Sequence, residues 1–220
     1  MKCKGFLFDL DGTLVDSLPV VERSWIEWAH QQGLDPQEVL AFIHGKQAIT
    51  SLRHFMPGAS DEEIQKAFRW MEEKEANDTN GITALPGALA LLEHLNALAV
   101  PWAIVTSGTV PVAHARQQAA HLPRPEVFIT AERVARGKPE PDAYLLGARE
   151  LGLDPQDCLV VEDAAAGLRA GMAAGCRVAA VHAPQDLAEL SQVDFNLLSL
   201  TALRVERRGE EIDVWQVNAS

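Results

Sequence analysis

The segment Phe6–Asp16, FLFDLDGTLVD, ends an apolar run in two aspartates one residue apart and follows them at once with glycine and threonine. Phe6, Leu7, Phe8 and Leu10 read as a short strand buried on both faces, because a strand covered by helices on each side is a near-continuous apolar run. Asp9 then falls at its carboxyl end, the edge at which open parallel sheets bind ligands. Carboxylates this close repel one another unless a cation sits between them, and Gly12 lets the chain turn without a Cβ clash. An Asp-Gly pair also closes hairpins. The segment that follows, LVDSLPVVERSWIEWAH, has helical periodicity and fits a hairpin poorly.

From Ser17 to Thr83 helical patterns succeed one another with no buried strand. Residues 17–83 are therefore expected as a helical insert between hinges near Asp16 and Ala84, with 1–16 and 84–220 forming an α/β core. Val20, Val21, Ser24, Trp25 and Trp28 make a helical stripe, and Gly33-Leu34-Asp35-Pro36 ends that helix and starts the next. Ser60 with Glu63 opens a charged helix running to about Asn77, whose surface is expected to be solvated. Between them HGKQAITSLRHF, His44 to Phe55, sets Lys46 and Arg53 near a glycine in a chain of formal net charge −12. These bases are either ordinary surface charge or a substrate-facing loop.

In the second half, Leu89, Leu91, Leu92, Leu95 and Leu98 form a helix stripe suited to packing on a sheet. Trp102 to Val105, WAIV, reads as a buried strand running into Thr106-Ser107-Gly108-Thr109, and the free N–H groups of a strand-to-helix turn there can bind an anion. Ser and Thr are equally ordinary N-caps. After a short strand at Val127–Thr130, Lys138 stands between glycine and proline on a restrained backbone, suited to aiming its ammonium inward. Asp142 is expected to cap a helix over Ala143–Leu151. CLVV, Cys158 to Val161, ends in Glu162-Asp163, an Ala/Gly-rich helix follows, and Val178–Val181 is one more strand. Strand ends carrying DxD, TSG and ED, with the lysine between the last two, agree on a single site. The tail, Leu203 to Val217, alternates around Arg208-Gly209 and predicts a hairpin added at a sheet edge.

The charge balance argues against nucleic acid or an anionic membrane surface as partner. Cys3, Cys158 and Cys176 form no CxxC pair, so neither a disulfide framework nor a zinc site is indicated, and the seven histidines show no metal spacing. No long apolar leader or membrane-spanning run is found. A soluble, cytoplasmic protein is expected, and a monomer.

The order DxDGT, TSG, GKP and ED, from Lys4 to about Val181, resembles the four motifs of the haloacid dehalogenase (HAD) superfamily. The helical insertion after the first motif resembles the cap of its sugar-phosphatase and mutase branch. LPGALALLEHLNAL, WAIVTSGT, RPEVFITAERVARGKPEPDAYLLG and VVEDAAAGLRAGMAAGC look particularly like the glycerol-3-phosphatase and 2-deoxyglucose-6-phosphatase subgroup. The resemblance implies a Rossmann-like α/β core, a parallel sheet with helices on both faces, plus an inserted all-helical cap. It implies Mg2+-dependent hydrolysis of small sugar or polyol phosphates through an aspartyl phosphate. Asp9 would be the nucleophile and Asp11 the general acid/base, with Thr106, Ser107 and Lys138 on the phosphate. Mg2+ would be held by Asp9, the Asp11 backbone carbonyl and Asp163, with Glu162 acting through a water. Lys46 and Arg53 would set specificity from the cap, and Asp16 would be a capping residue. A mutase of the β-phosphoglucomutase type is the alternative; such mutases carry a histidine where this chain has Val21, which favours hydrolysis. A dehalogenase does not use the Asp11 and Asp163 pair, and a non-catalytic regulatory protein could share the fold. Hexose, pentose and polyol phosphates are not distinguished.

Overall fold

In the computed structural model, residues 1–43 and 46–217 are described; His44, at the start of the basic stretch, and Gly45 lie outside the described residues. The first two strands are β1 (Lys2–Cys3) and β2 (Gly5–Phe8), and a two-residue strand, β3 (Val15–Asp16), leads into four helices. These are α1 (Leu18–Gln32), α2 (Pro36–Ile43), α3 (Ala48–Phe55) and α4 (Asp61–Asn77). The chain returns through β4 (Thr83–Ala84) to α5 (Ala88–Ala97), β5 (Trp102–Val105), α6 (Val110–Ala119) and β6 (Val127–Ile129). It continues with α7 (Asp142–Glu150), β7 (Cys158–Glu162), α8 (Ala165–Ala173), β8 (Arg177–Val181), β9 (Phe195–Leu197), β10 (Leu203–Arg208) and β11 (Glu211–Gln216).

Six strands form a parallel sheet in the order β6-β5-β2-β7-β8-β9, so β2 is an inner strand between β5 and β7. Its apolar run serves two faces. Phe6 and Phe8, two residues apart, stack on the side covered by Leu91, Leu92 and Leu95 of α5. Leu7 faces the opposite layer, with Tyr144 of α7 and Leu168 of α8. This is the fold class expected, and the strand runs end where the polar motifs begin.

The insert has its own apolar centre, built from Trp25, Trp28, Val39, Ile43, Leu52 and Met71. Its ends leave the core side by side, because Val15–Asp16 pairs antiparallel with Thr83–Ala84. The Ser60/Glu63 capping box forms: Ser60 Oγ accepts from Glu63 N at 3.2 Å, and Ser60 N donates to Glu63 Oε2 at 2.7 Å. Asp16 accepts from Leu18 N at 3.2 Å, as a capping residue would.

Four local expectations need correction. The tail hairpin does not extend the main sheet; β10 and β11 pair with each other and β11 with β1, giving a separate three-stranded antiparallel sheet. The α4 surface is not wholly solvated, since α4 packs along α6 and places Glu75 against Arg116. Asp142 is not the cap but the first residue of α7, paired with Arg136 at 2.7 Å. The helix after TSGT starts at Val110; Thr109 stands at the N-cap position without a side-chain capping bond, and the first N–H donates to Glu132 at 2.8 Å instead. The Val110 N–H is thereby taken, which leaves the N–H groups of the TSG turn itself for an anion.

Glycine in the interior of α8 costs helix stability yet is needed at Gly171, where a Cβ would come within 2.9 Å of Val160 Cγ1 and 3.2 Å of Val178 Cγ2. Gly171→Ala is expected to destabilise the protein by about 1–3 kcal/mol through overpacking, despite gaining up to about 1 kcal/mol in helix propensity. A urea midpoint equal to or above that of the unaltered protein would contradict this packing.

Candidate active site

Asp9 follows β2 directly, and its N–H donates to the Val161 carbonyl of β7 at 3.0 Å. The chain then winds into a tight turn in which the Leu10 carbonyl accepts from Leu14 N at 2.9 Å and Val15 N at 3.0 Å. Gly12 occupies this turn at φ +82°, and a Cβ there would run into the Asp163 carboxylate. The glycine of DxDGT is thus required twice, by its backbone angle and by the acid it lies against. Thr13 Oγ1 reaches back to Asp9 Oδ2 at 3.3 Å and Asp163 Oδ1 at 3.4 Å.

Lys138 is buried at the centre of the site. Its ammonium donates to Asp9 Oδ1 at 2.7 Å, Glu162 Oε1 at 2.7 Å and the Val105 carbonyl at 2.9 Å. Three acceptors match its three donors. Glu162 also accepts from Tyr144 O–H at 2.7 Å and from Asp163 N at 3.1 Å. It lies under α8 at Gly167, where a Cβ would strike its carboxylate. Each of Asp9, Glu162 and Asp163 offers an oxygen within 4.8 Å of the others.

Three carboxylates against one ammonium leave negative charge uncompensated in a buried space. Burial first, and then the charge of Glu162, push the Asp9 carboxyl up to about 7, with Lys138 opposing. Burial, then Asp9 and Glu162, raise Asp163 well above the usual carboxylate range. For Lys138 burial acts to lower the pKa, but the charges of Asp9 and Glu162 outweigh it and the ammonium is held above its ordinary value. A compact set of hard oxygen donors with surplus negative charge fits a divalent cation.

The Asp11 carboxylate stands apart from this cluster. Its Oδ1 accepts from Ser17 Oγ at 2.7 Å and from Arg116 Nη1 at 2.9 Å. Thr106 Oγ1 accepts from Gly108 N at 3.0 Å, while the N–H groups of Leu10, Asp11 and Ser107 have no hydrogen-bond partner among the described residues. The ends of β2, β5 and β7 thus carry Asp9, Asp11, Thr106, Ser107, Glu162 and Asp163, and Lys138 joins Asp9 and Glu162 from the loop before α7, while the Asp11 carboxylate points to Arg116 and Ser17.

Lys46 and Arg53 are turned toward the insert itself. Lys46 Nζ donates to the Phe42 carbonyl at 2.6 Å and lies 4.1 Å from the Phe42 ring centre; Arg53 Nη2 is 3.5 Å from Asp61. The neighbouring Gln47 reaches the core instead, its carboxamide packed where a Cβ on Gly137 would fall, one residue before Lys138. Thr13, Tyr144, Arg116 and Gln47 are the site residues that sequence reasoning passed over. Thr13 is within the quoted motif, and Tyr144 is the chain's single tyrosine, six residues after Lys138. Arg116 and Gln47 carry no local signal, since their contacts exist only once the insert meets the core.

A carboxylate-lined site on the carboxyl ends of parallel strands, completed by a helical insert, defines the class, and residues 3–175 match the family model described as haloacid dehalogenase-like hydrolase. The chain belongs to this family. It is 66% identical over 208 residues to "Hexitol phosphatase A" of Escherichia coli (strain K12), covering 94% of this chain and 96% of that one. It is 34% identical to "Glycerol-1-phosphate phosphohydrolase 1" of Saccharomyces cerevisiae, covering 97% and 89%. A hydrolase from Pseudomonas syringae, 26% identical, superposes with a TM-score of 0.78 over 90% of this chain and 94% of its own. Among the described residues no helix is long and apolar enough to cross a membrane.

The raised carboxyls give a signed expectation for the metal-free protein. Asp9 titrates near 7 when folded against an ordinary value of 3.8, so the folded state binds more protons than the unfolded state between those values. Its contribution to stability is present at low pH and lost as pH rises through the folded value. From about pH 5 to pH 8 the melting temperature of metal-free protein should therefore fall, and the gain on adding a divalent cation should be larger at the higher pH. A gain equal at both values, or larger at the lower one, would show that these carboxylates do not receive the ion.

Proposed function

We propose that this protein is a phosphatase acting on small sugar or polyol phosphates, with hexitol phosphates as its first-choice substrates. The observation that carries the reading is the Asp9 carboxylate, fixed through one oxygen by Lys138 and through the other by Thr13, with Asp163 and Glu162 beside it. The 66% identity to a hexitol phosphatase directs the choice of sugar.

Asp9 attacks phosphorus in line while the bond to the sugar oxygen breaks, forming an aspartyl phosphate. Asp11 gives its proton to the departing oxygen and later takes one from the water that attacks the aspartyl phosphate, releasing inorganic phosphate. The Thr106 hydroxyl and the Ser107 N–H hold the phosphoryl oxygens, and the Lys138 charge beside Asp9 serves the phosphate by screening that carboxylate from it, so that charge and dipoles favour the transition state over the ground state. Mg2+, held by Asp9, the Asp11 carbonyl and Asp163, with Glu162 through a water, would supply positive charge that lets an anion approach these carboxylates. Glu162 has a second task. With Tyr144 it fixes the Lys138 ammonium.

Residues 17–83 serve as a cap hinged at the β3–β4 pair, and 1–16 with 84–220 as the catalytic core. Closing the cap excludes water and completes the site. Lys46 and Arg53 are proposed to meet the sugar when substrate is bound. Val21 packs against the apolar centre of the insert, so the first cap helix offers no titratable group there for mutase chemistry.

Phosphate release from hexitol, hexose, ketose and glycerol phosphates, with and without Mg2+, tests the reading. Asp9→Asn should reduce turnover by at least ~10³-fold, and unchanged release by that variant would end the assignment. Lys46→Ala or Arg53→Ala should shift the ratio of kcat/KM between hexitol and glycerol phosphates; a ratio unmoved in both removes these residues from the substrate site.

A further inference from the structure

Arg116 lies in the core helix α6 and is only 4% exposed, yet it carries a full charge. A guanidinium in such a place requires carboxylate partners, and Arg116 has two from different parts of the fold. Nη1 reaches Asp11 Oδ1 at 2.9 Å, and Nη2 reaches Glu75 Oε2 on α4 of the insert at 2.7 Å. The Nε has no partner, so these two carboxylates are what hold the group. Glu75 is itself partly buried, with a side chain 12% exposed, and α4 packs along α6 at this point. Asp11 Oδ1 takes a second hydrogen bond from Ser17, at the first turn of the insert. Its Oδ2 has no hydrogen-bond partner among the described residues, so one oxygen is fixed and the other is open to carry a proton.

We infer that Arg116 is a positioning residue for Asp11 and that Glu75 makes this positioning depend on the insert. With α4 seated on α6, the guanidinium is held at both ends and the Asp11 carboxylate is fixed through Oδ1. When α4 lifts, Arg116 loses its Glu75 acceptor and Asp11 loses a fixed donor. Proton transfer at the leaving oxygen is therefore linked to the closed arrangement through one buried side chain. The inference rests on the phosphatase reading, and it concerns only the step in which Asp11 protonates the sugar oxygen as the phosphorus–oxygen bond breaks.

The readout is the ratio of kcat/KM for a hexitol phosphate to kcat/KM for para-nitrophenyl phosphate. Both constants report phosphoryl transfer to Asp9, but the nitrophenolate leaves without a proton and the sugar alkoxide does not. Glu75→Gln keeps the size of the side chain and removes its charge, and should lower this ratio by about tenfold or more. Introduced into Asp11→Asn, the same change should move the ratio by less than about twofold, because no positioned acid remains to lose. Two constants that fall together, a ratio that does not move, or a ratio that drops as far without Asp11 would each overturn the inference. If Glu75→Gln does not fold, Arg116→Lys is read in the same way, since a lysine ammonium lacks the planar fork by which the guanidinium presents separate nitrogens to the two carboxylates. Unaltered enzyme that releases phosphate from neither compound would instead defeat the phosphatase reading beneath it.

Discussion

The ammonium of Lys138 is the interaction on which the site depends. It bonds Asp9 after β2, the Val105 carbonyl of β5 and Glu162 of β7, and so ties the ends of three neighbouring strands to one point. Without it three carboxylates would face one another in a buried space, and removing one partner of a buried ion pair costs about 3–5 kcal/mol. Tyr144 and the Asp163 N–H complete the bonding of Glu162, so the lysine meets a fixed acceptor. Structural anchoring and chemical preparation are the same set of bonds.

The acids can crowd this closely because the backbone beside them carries no side chain. Gly12 leaves room for Asp163, and Gly167 for Glu162. Both glycines belong to segments that would otherwise hold the carboxylates away from the strand ends. The sheet supplies the remaining constraint. Alternation along β2 sends Phe6 and Phe8 into one layer and Leu7 into the other, so the strand is anchored on both faces and Asp9 leaves it in a fixed direction.

What was legible in the sequence was what is local. Apolar runs ending in polar motifs identified β2, β5 and β7, and the motif residues that meet at their ends are those the spacing pointed to. What depended on distant partners was not legible. The tail hairpin pairs with Lys2–Cys3 at the other end of the chain, a two-residue strand that periodicity cannot reveal. The polar α4 sequence gave no sign that Glu75 turns toward the core, because helical pattern reports which residues share a face and not what covers it. Lys46 and Arg53 stood out as bases in an acidic chain, but their partners Phe42 and Asp61 lie within the insert, and the adjacent Gln47 is the side chain that reaches Gly137.

The junction between insert and core mixes apolar and polar contacts, unlike the interior of the insert. Within the insert, tryptophans and aliphatic side chains make an apolar centre, and Arg23 clamps its base by donating to Asp78 at 3.0 Å and the Asn80 carbonyl at 2.6 Å. Across the junction Val20 and Ile82 of the insert pack into the apolar cluster of the core, whereas Arg116 with Glu75 and the Gln47 carboxamide against Gly137 are polar contacts. Apolar burial resists separation because exposed surface costs free energy in proportion to its area, whereas polar groups parted from one another regain water. Under the cap reading we propose, an insert with its own apolar centre would open about its two adjacent strands as a unit, without exposing that centre. The buried Arg116 is the exception in that junction, since the carboxylate it would lose on opening, Glu75, belongs to the insert and the one it would keep, Asp11, belongs to the site.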